Sequence, residues 1–321
     1  MFAQATVELF RDSYVHRIKI TLLVALFALS GASTAIADVM YTPIHFRTIS
    51  GIRPFVDVRM NGKPFLMMVH ANAAFYAMTT HANAASIGVS GLVKKSDFGI
   101  SSEGHVSKLG RAETTLNELQ VGDSKVKNVP LSVFEVPVPD MQGMLGIGWL
   151  RSERVIVDYN ADRIGIAPTL SDSESADRDL MLHGYLPHKM IWDAKHDIYY
   201  VVAVVNGVPA RLTISTVTTN IIDTEFARSA KMEFGPVVDQ FDGPKGTQGD
   251  VFLSRSPVSI TIDGQATASE QLEILDEYAY NAQKRPSDPS MAIHGDLGAQ
   301  FMLANQAVID FGSETLFLPK R

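Results

Sequence analysis

The chain has 321 residues, a net charge of −7 and no cysteine. A chain of this length forms one large domain or two ordinary ones. Its lysines and arginines are spread at ordinary surface spacing. Since phosphate binding needs clustered cations, we expect no nucleic-acid partner. Without cysteine, a disulfide scaffold, a thiol enzyme and a thiolate metal site are all excluded.

The first 37 residues have the three-part pattern of a secretory signal peptide. The basic segment 16–19 precedes an uncharged apolar run at 20–29, and an Ala-Ile-Ala sequence at 35–37 stands before Asp38. The apolar run is shorter than the roughly 20 residues that cross a membrane. We therefore expect cleavage after residue 37, a periplasmic or secreted protein, and no stable membrane anchor afterwards. An uncleaved anchor is the alternative.

Strand patterns dominate the chain after the leader. Val56, Val58 and Met60 alternate with polar residues, which is typical of a strand with one buried face, and alternation returns over residues 116–136. Two short helices are expected, one ending at Ile87 after a Thr79 or Thr80 cap and one at 225–232. The segment 95–105 is polar and contains two glycines, and the segment 241–249 is polar and Gly-rich.

The second half of the chain begins after a polar, mostly acidic segment at 169–179, which has no apolar period and is interpreted as a linker. The continuous apolar run at 199–205 predicts a strand covered on both faces. The segment 278–290 is a polar, proline-containing loop, and its structure is the least determined by the sequence.

Two stretches, Pro64–Met78 and Pro209–Asp223, share one layout at an offset of 145 positions. Each begins two residues after an Asn-Gly pair, which is a strong signal for a tight hairpin because both turn residues need φ > 0. Each then continues as an apolar strand into a short polar loop. The offset aligns three pairs of loop residues: His70 with Ser215, Ala71 with Thr216, and Asn72 with Val217.

A second pair of blocks repeats in the same order. The segment 144–159 matches 296–311, with Leu-Gly near the start of both blocks and an apolar-Asp pair near the end of both. Two matched blocks in one order indicate a single module copied in tandem.

These blocks resemble the retropepsin-like aspartic proteases in their bacterial two-lobed, periplasmic form. That family carries Asp-Thr-Gly in the strand–loop block and an apolar-Leu-Gly run before a closing strand, and the resemblance covers residues 41–318. It implies a mainly β fold of two tandem β-barrel lobes related by a pseudo-two-fold axis, with a few short helices. It also implies that the segment 95–105 forms the flap hairpin over the cleft and that 241–249 is the corresponding region of the second lobe. The lobes would be residues 38–168 and 180–321, joined by the linker 169–179. Because both lobes lie in one chain, we expect a monomer.

Catalysis in this family needs two carboxylates, one from each loop, that share a proton. One acts as a base on water while the other polarises the substrate carbonyl. The positions that match Asp-Thr-Gly are His70, Ala71, Asn72, Ser215, Thr216 and Val217, and none carries a carboxylate. Both catalytic motifs are therefore degenerate, and no catalytic residue is predicted at these six positions.

The function that follows is that of a pseudo-peptidase. Its interlobe cleft can still hold an extended peptide or protein segment, because strand addition needs backbone groups and side-chain pockets but no catalytic dyad. Two alternatives stay open. One is an active aspartic-type endopeptidase with unrecognised catalytic residues, and the other is a purely structural envelope protein.

Other polar residues have simpler interpretations. Asp223-Thr224-Glu225 looks like a shifted Asp-Thr-Gly, but Asp223 or Thr224 is expected to cap the following helix. Asp158 and Asp310 follow the closing strands, where they are expected to bind backbone N–H groups of turns.

The histidines suggest neither a hydrolase nor a metal site. A Ser215–His70 pair would need an orienting acid and an oxyanion hole, and the sequence identifies neither. His70 with His81, and His183 with His188, have no recognised metal-ligand spacing. We expect no metal and no cofactor.

Overall fold

A computed structural model describes residues 39–49, 51–96, 109–136, 138, 140–217, 219–243 and 245–321. The predicted signal peptide and most of the predicted flap hairpin at 95–105 lie outside the described residues. Within the described ranges, no helix is long and apolar enough to cross a membrane.

The described residues of the first copy of the repeat form eleven strands and two short helices. In chain order they are β1 (Met40–Pro43), β2 (His45–Thr48), β3 (Ile52–Met60), β4 (Lys63–Val69), β5 (Ala77–Thr79), α1 (His81–Ser86), β6 (Val93–Ser96), β7 (Arg111–Val121), β8 (Ser124–Val133), β9 (Gly143–Leu145), α2 (Ile147–Ser152), β10 (Val155–Asp158) and β11 (Arg163–Ile166).

A longer helix, α3 (Leu170–Leu182), leads to the second copy. Its elements are β12 (Tyr185–Lys189), β13 (Ile191–Asp193), β14 (Ile198–Val205), β15 (Val208–Ile214), β16 (Ile221–Asp223), α4 (Thr224–Ser229), β17 (Phe234–Asp242), β18 (Gln248–Ser254), β19 (Ile260–Ile262), β20 (Gln265–Ala266), β21 (Glu273–Leu275), α5 (Glu277–Tyr280), a 3₁₀ turn (Pro289–Met291), β22 (Gly295–Leu297), α6 (Ala299–Ala304), β23 (Val308–Asp310) and β24 (Thr315–Pro319).

The strands form three sheets. An eight-stranded sheet, in the order β2-β3-β4-β9-β5-β8-β7-β6, is partly closed by an additional β3–β7 pairing and defines lobe 1. A ten-stranded sheet, β17-β18-β21-β16-β22-β15-β14-β19-β20 with β13 beside β14, defines lobe 2. The third sheet, β1-β11-β10-β23-β24-β12, takes three strands from each copy and joins the lobes.

Both lobes contain the same crossing of three strands, which confirms the repeat. In lobe 1, β9 runs parallel to β4 and antiparallel to β5, with Met68 opposite Met144. In lobe 2, β22 runs parallel to β15 and antiparallel to β16, with Thr213 opposite Asp296. The crossing fixes where the chain leaves β4 and β15, and these two exits carry the loops at 70–72 and 215–217, called the dyad loops below.

The Asn-Gly hairpins are confirmed. Asn61 and Gly62 have φ angles of 48° and 81°, and Asn206 and Gly207 have φ angles of 48° and 85°. Two positive φ angles are what a tight hairpin turn requires, and Asn and Gly tolerate them best. These turns set the register of β3–β4 and β14–β15, and so the position at which each dyad loop begins.

The two short helices expected from the sequence are also present. Thr80 caps α1 by accepting a hydrogen bond from the backbone of Asn83, and Ile87 is the C-cap. Asp223 caps α4 by accepting from the backbone N–H groups of Glu225 and Phe226. The helical cap predicted for Asp223 is therefore confirmed.

Two expectations differ from the structure. The segment 169–179 is not an irregular linker, because most of it belongs to α3, which Thr169 and Asp172 begin with a reciprocal capping box. The run at 199–205 is not covered on both faces. Val202 and Val204 of β14 are 51% and 38% exposed while their neighbours are buried. Burial alternates along β14, but the sequence does not show this alternation because the exposed positions also carry valine.

Candidate functional site

The dyad loops begin in the same way in both lobes. The backbone N–H of His70 donates to the carbonyl of Leu145 at 2.9 Å, and that of Ser215 donates to the carbonyl of Leu297 at 2.9 Å. Each hydrogen bond joins a dyad loop to the last residue of a neighbouring strand, β9 in lobe 1 and β22 in lobe 2. The sequence alignment of His70 with Ser215 is therefore an alignment of structurally equivalent positions.

Thr216 connects the two dyad loops. Its Oγ1 donates to the carbonyl of Val69 at 2.8 Å and accepts from the backbone N–H of Ala71 at 2.9 Å. Thr216 is fully buried and Ala71 is 1% exposed, so both bonds are shielded from water. The equivalent residue in lobe 1 is Ala71, which has no hydroxyl and cannot make the symmetric pair of bonds. One side chain therefore connects the lobes at this point.

His70 is held as a neutral imidazole. Its Nδ1 accepts a hydrogen bond from the backbone N–H of Asn72 at 3.3 Å, which places the ring proton on Nε2. Burial, together with the nearby guanidinium of Arg53, lowers the pKa of His70 to about 3. The Nδ1 lone pair is thus engaged, and the ring does not take up a proton at neutral pH.

Ser215 and Val217 are also engaged locally. The hydroxyl oxygen of Ser215 accepts a hydrogen bond from the backbone N–H of Val217 at 3.4 Å, and Ser215 is fully buried. Val217 is 1% exposed and packs into an apolar cluster of lobe 1. The other members of that cluster are Phe55, Met68, Ala73, Phe75, Met78, Phe134, Met141 and Met144. A residue of one dyad loop therefore fills apolar space in the opposite lobe.

Gly146 explains the Leu-Gly pair of lobe 1. A Cβ at this position would lie 2.6 Å from the carbonyl oxygen of Ala73 and still closer to that of Phe75. Its N–H also donates to the carbonyl of Tyr76 at 2.9 Å. The backbone after the dyad loop therefore packs directly on the start of α2, and only glycine leaves room for this contact.

The two lobes differ in chemistry at equivalent positions beside the dyad loops. In lobe 1, Met68 and Met144 form part of the apolar cluster. In lobe 2 the equivalent residues are Thr213 and Asp296, and the Thr213 hydroxyl donates to the Asp296 carboxylate. Asp223, which caps α4 as Thr80 caps α1, adds a second buried carboxylate to lobe 2. One wall is apolar and the other is acidic.

Arg285 neutralises part of this acidic wall. Its guanidinium binds both carboxylate oxygens of Asp223, at 2.7 and 2.9 Å. The same group contacts Glu225 at 2.8 Å and Asp276 at 3.3 Å. Since Asp223 is fully buried, this bidentate pair compensates a charge that would otherwise be costly. One cation thus serves three carboxylates.

Two further carboxyl groups of lobe 2 have no such partner. Glu277 and Asp296 are each 9% exposed, and no cation contacts either in the described part of the chain. One oxygen of Glu277, Oε2, is buried and has no hydrogen-bond partner among the described residues. Burial raises the pKa of Asp296 to about 6, and burial with the nearby charges of Asp296 and Asp223 raises that of Glu277 well above its usual value.

The turn aspartates predicted from the sequence are confirmed. Asp158 accepts from the backbone N–H groups of Asn160 and Ala161, and Asp310 accepts from those of Gly312 and Ser313.

Asp310 also has a role that the sequence did not indicate. The carboxyl of Asp177 on α3 lies within hydrogen-bonding reach of it, and the hydroxyl of Ser173 donates to it at 2.6 Å. Burial and the neighbouring Asp310 raise the pKa of Asp177 to about 7. Helix α3 is thus fixed to the joining sheet.

The other three histidines considered as metal ligands have protein partners. His81 faces Glu135 at 3.3 Å. His188 is buried between Asp263 at 3.0 Å and Gln265 at 2.9 Å, and His183 faces the carbonyl of Asp179. Within the described ranges, no group of three or more candidate ligands is arranged to hold a metal ion.

Sequence reasoning missed Glu277 and Arg285. Both lie in or beside the segment 278–290, where no local pattern marks a buried charge, and Arg285 contacts Asp223 from 62 positions away. Asp296 did have a signal, because the repeat aligns it with Met144. A carboxylate at the position of a buried methionine is unusual, and that comparison could have identified it.

In the described part of the chain, two cavities are lined by neither His70 nor Ser215. One, of about 320 Å³, lies between α2 and Trp192, whose ring stacks on Arg151 at 3.9 Å. The other, of about 150 Å³, lies between Asn206 and Pro257 in lobe 2.

Comparison with known proteins agrees with this architecture. Residues 56–152 match a family model described as gag-polyprotein putative aspartyl protease. The aspartic proteinase from Irpex lacteus is similar in structure, with a TM-score of 0.51, 10% identity, and coverage of 88% of this chain and 97% of that protein. No curated protein sequence matches the chain.

Two other solved structures are similar over different lengths. A retropepsin-like aspartic protease from Rickettsia conorii gives a TM-score of 0.31 at 20% identity, covering 40% of this chain and 91% of that protein. Conglutin gamma from lupine seeds gives a TM-score of 0.46 at 13% identity, covering 88% and 95%.

The matched segment contains the first dyad loop and the first Leu-Gly pair, and the two-lobed fold extends over both copies of the repeat. The mainly β, two-lobed fold expected from the sequence is confirmed. Residues 56–152 thus resemble the aspartyl protease family model, and the two lobes together have the fold of a pepsin-like aspartic proteinase.

Proposed function

We propose that this protein is an exported, non-catalytic member of its family that holds an extended peptide between its lobes. The observation that carries the proposal is the state of the dyad loops. Thr216 joins them through two buried hydrogen bonds, so the loops are assembled, yet they present an imidazole and a hydroxyl where the family's chemistry needs two carboxylates.

Neither dyad residue can replace the missing acid pair. An aspartic protease activates water with one carboxylate while a second, protonated carboxyl polarises the substrate. The hydroxyl of Ser215 does not ionise near neutral pH, and the Nδ1 of His70 already accepts a hydrogen bond. Proton sharing between these two groups is therefore not available.

A serine hydrolase built on the same pair is also disfavoured. In a Ser-His-acid triad the Nδ1–H of histidine donates to a carboxylate, which orients the ring and stabilises its charged form. Here Nδ1 accepts from the backbone of Asn72, and burial lowers the pKa of His70 to about 3. The imidazole has neither the orienting acid nor the basicity of a general base.

Peptide binding is supported by the contrast between the lobes. An extended peptide offers backbone hydrogen bonds along its length and side chains that alternate between two sides. Lobe 1 presents apolar residues beside its dyad loop, and lobe 2 presents carboxylates beside the equivalent loop. Two walls of different chemistry suit a peptide that carries apolar and polar side chains.

Val217 favours a second candidate, a purely structural envelope protein. Its side chain fills apolar space in lobe 1 next to the dyad loops. If that contact is permanent, no ligand reaches the cleft floor.

Peptide retention separates the two candidates. The purified mature protein is immobilised and exposed at pH 7 to a chymotryptic digest of casein, and the retained peptides are eluted and identified by mass. We expect a subset of peptides to be retained intact. Loss of that subset when Val217 is replaced by Trp, with Val202→Trp on the exposed face of β14 as control, would place binding at the dyad loops. No retention at any peptide concentration would favour the structural role.

Export is part of the proposal. The three-part leader predicts that periplasmic or secreted protein begins at Asp38, which mass spectrometry of the intact protein measures. A mature protein that keeps its first 37 residues would contradict this part.

A further inference from the structure

We infer that the acidic wall of lobe 2 is a binding site for an alkylammonium group, and that the peptides this protein holds carry a lysine there. The inference rests on the proposed function, because it names the ligand class of the same cleft. The groups that form the site are the carboxylates of Glu277 and Asp296.

The first argument is the balance of charge. Five carboxylates, those of Asp223, Glu225, Asp276, Glu277 and Asp296, lie in this part of lobe 2, and Arg285 contacts the first three. Glu277 and Asp296 have no cation in contact among the described residues. Buried carboxylates without a cation must hold protons or await a positive ligand.

The second argument is the unpartnered acceptor. Oε2 of Glu277 is buried and receives no hydrogen bond from the described residues, although the charges of Asp296 and Asp223 act on this carboxyl. The Oδ1 of Asn72 is also buried and receives no hydrogen bond from the described residues. A buried acceptor without a donor costs about 1–3 kcal/mol, so a ligand that supplies N–H donors is favoured. An ammonium group supplies three donors and a positive charge.

The third argument is position. By the repeat, Asn72 corresponds to Val217, and Val217 packs against the wall formed by Met68 and Met144. The pseudo-two-fold relation therefore places Asn72 toward the wall formed by Thr213 and Asp296. The charge of Asp296 acts on Glu277, so the same symmetry relation puts Asn72 on the side of the cleft that carries this carboxyl.

Neither carboxyl of the site is neutralised by a cation in contact among the described residues. Glu277 and Asp296 each keep 9% of their surface exposed, whereas Asp223 keeps none and is compensated by Arg285. Burial raises the pKa of both groups, which favours their protonated forms. A lysine side chain can replace that proton with a charged, directed hydrogen-bond donor.

The test uses one host octapeptide in four forms. The first is N-acetylated with one internal lysine, the second has that lysine acetylated, the third has norleucine in its place, and the fourth has norleucine with a free N-terminus. Dissociation constants are measured for the wild type, Asp296→Asn and Glu277→Gln. Glu233→Gln, which removes an exposed charge from the same lobe, is the matched control.

We expect the lysine peptide to bind about 10- to 100-fold more tightly than its acetylated and norleucine forms, which is the effect of one charged hydrogen bond. This preference should disappear in Asp296→Asn and in Glu277→Gln and remain in Glu233→Gln. Preference for the fourth peptide would identify the chain terminus as the source of the ammonium group. A variant that merely loosens the fold would weaken all four peptides equally and would not remove the preference.

Two results overturn the inference. If the peptides bind with equal affinity, or if the lysine preference survives in both variants, the acidic wall is not the site, while the proposed function stands. If no peptide binds, the proposed function fails, and 1,5-diaminopentane then tests the site alone by NMR titration. No shift with this diamine would remove the site as well.

Discussion

Replacing Thr216 with valine is the sharpest test of how the two lobes are joined. Valine keeps the shape of threonine but removes the hydroxyl that binds Val69 and Ala71. The carbonyl of Val69 and the N–H of Ala71 then lose a partner in a dry environment. Leaving two buried groups unsatisfied costs about 1–3 kcal/mol each, so we expect Thr216→Val to lower the free energy of unfolding by about 2–6 kcal/mol.

Urea denaturation followed by tryptophan fluorescence measures this loss, because the chain has two tryptophans, Trp149 in lobe 1 and Trp192 in lobe 2. Thr216→Ser is the matched control. It keeps the hydroxyl and removes one methyl group, which should cost only about 1 kcal/mol. Thr79→Val is a second control, since it removes a single buried bond, to the carbonyl of Gln142 within lobe 1.

The relative stabilities of the three variants in urea test this prediction. We expect Thr216→Val to be the least stable, and Thr216→Ser to stay close to the wild type. If Thr216→Val unfolds at the same urea concentration as the wild type, the bridge does not hold the lobes together and the reasoning is wrong.

Two further variants test the buried charges. Arg285→Ala should lower the free energy of unfolding by about 3–5 kcal/mol because it leaves the buried Asp223 unpaired. Arg285→Lys should lower it by a smaller amount, since an ammonium cannot bind both oxygens in the bidentate manner of a guanidinium. Equal stability of the wild type and both variants in urea would contradict this. Asp177 has a pKa raised to about 7, so its contribution to stability is present below the pKa of the unfolded chain and is lost as the pH rises through about 7. Asp177→Asn keeps a donor toward Asp310 at every pH, so its stability relative to the wild type should be lowest below the pKa of the unfolded aspartate and should rise as the pH increases to about 7. A pH-independent difference in urea midpoints would refute this.

The repeat made much of the fold predictable. Asn-Gly turns, alternating strands and capped short helices are local signals, and two copies of each signal strengthened the interpretation. The alignment of His70 with Ser215 came from the same source, and the structure places both at equivalent exits from the strand crossings.

Helix α3 and the contacts between residues far apart in the sequence were harder to predict. Helix α3 has few buried residues, and they include the polar Ser173 and Asp177, so no apolar period marked it as a helix. Arg285 and Glu277 lie in a segment that has no strong local preference, and their roles depend on residues far away in sequence. The two hydrogen bonds of Thr216 could not be predicted from the sequence, because their partners are about as distant in the chain as the repeat is long.

Rewriting the dyad tests whether the loops could still support catalysis. In His70→Asp combined with Ser215→Asp, both acids return, but Asn72 and Val217 remain at the family's glycine positions, and Val217 stays packed in lobe 1. Catalytic groups must be held to about 0.5 Å, so we expect no proteolysis from this double variant. Pepstatin-sensitive cleavage by the double variant would show that the loops kept their catalytic geometry.

The most direct measurement is turnover of unfolded casein by the pure mature protein between pH 3 and pH 7, with and without pepstatin. The two dyad loops offer a neutral imidazole and a hydroxyl, and no pair of carboxyls is shared across them. We expect intact casein to remain at every pH, in amounts equal to those with pepstatin present. Fragments that accumulate with time and disappear when pepstatin is added would contradict it.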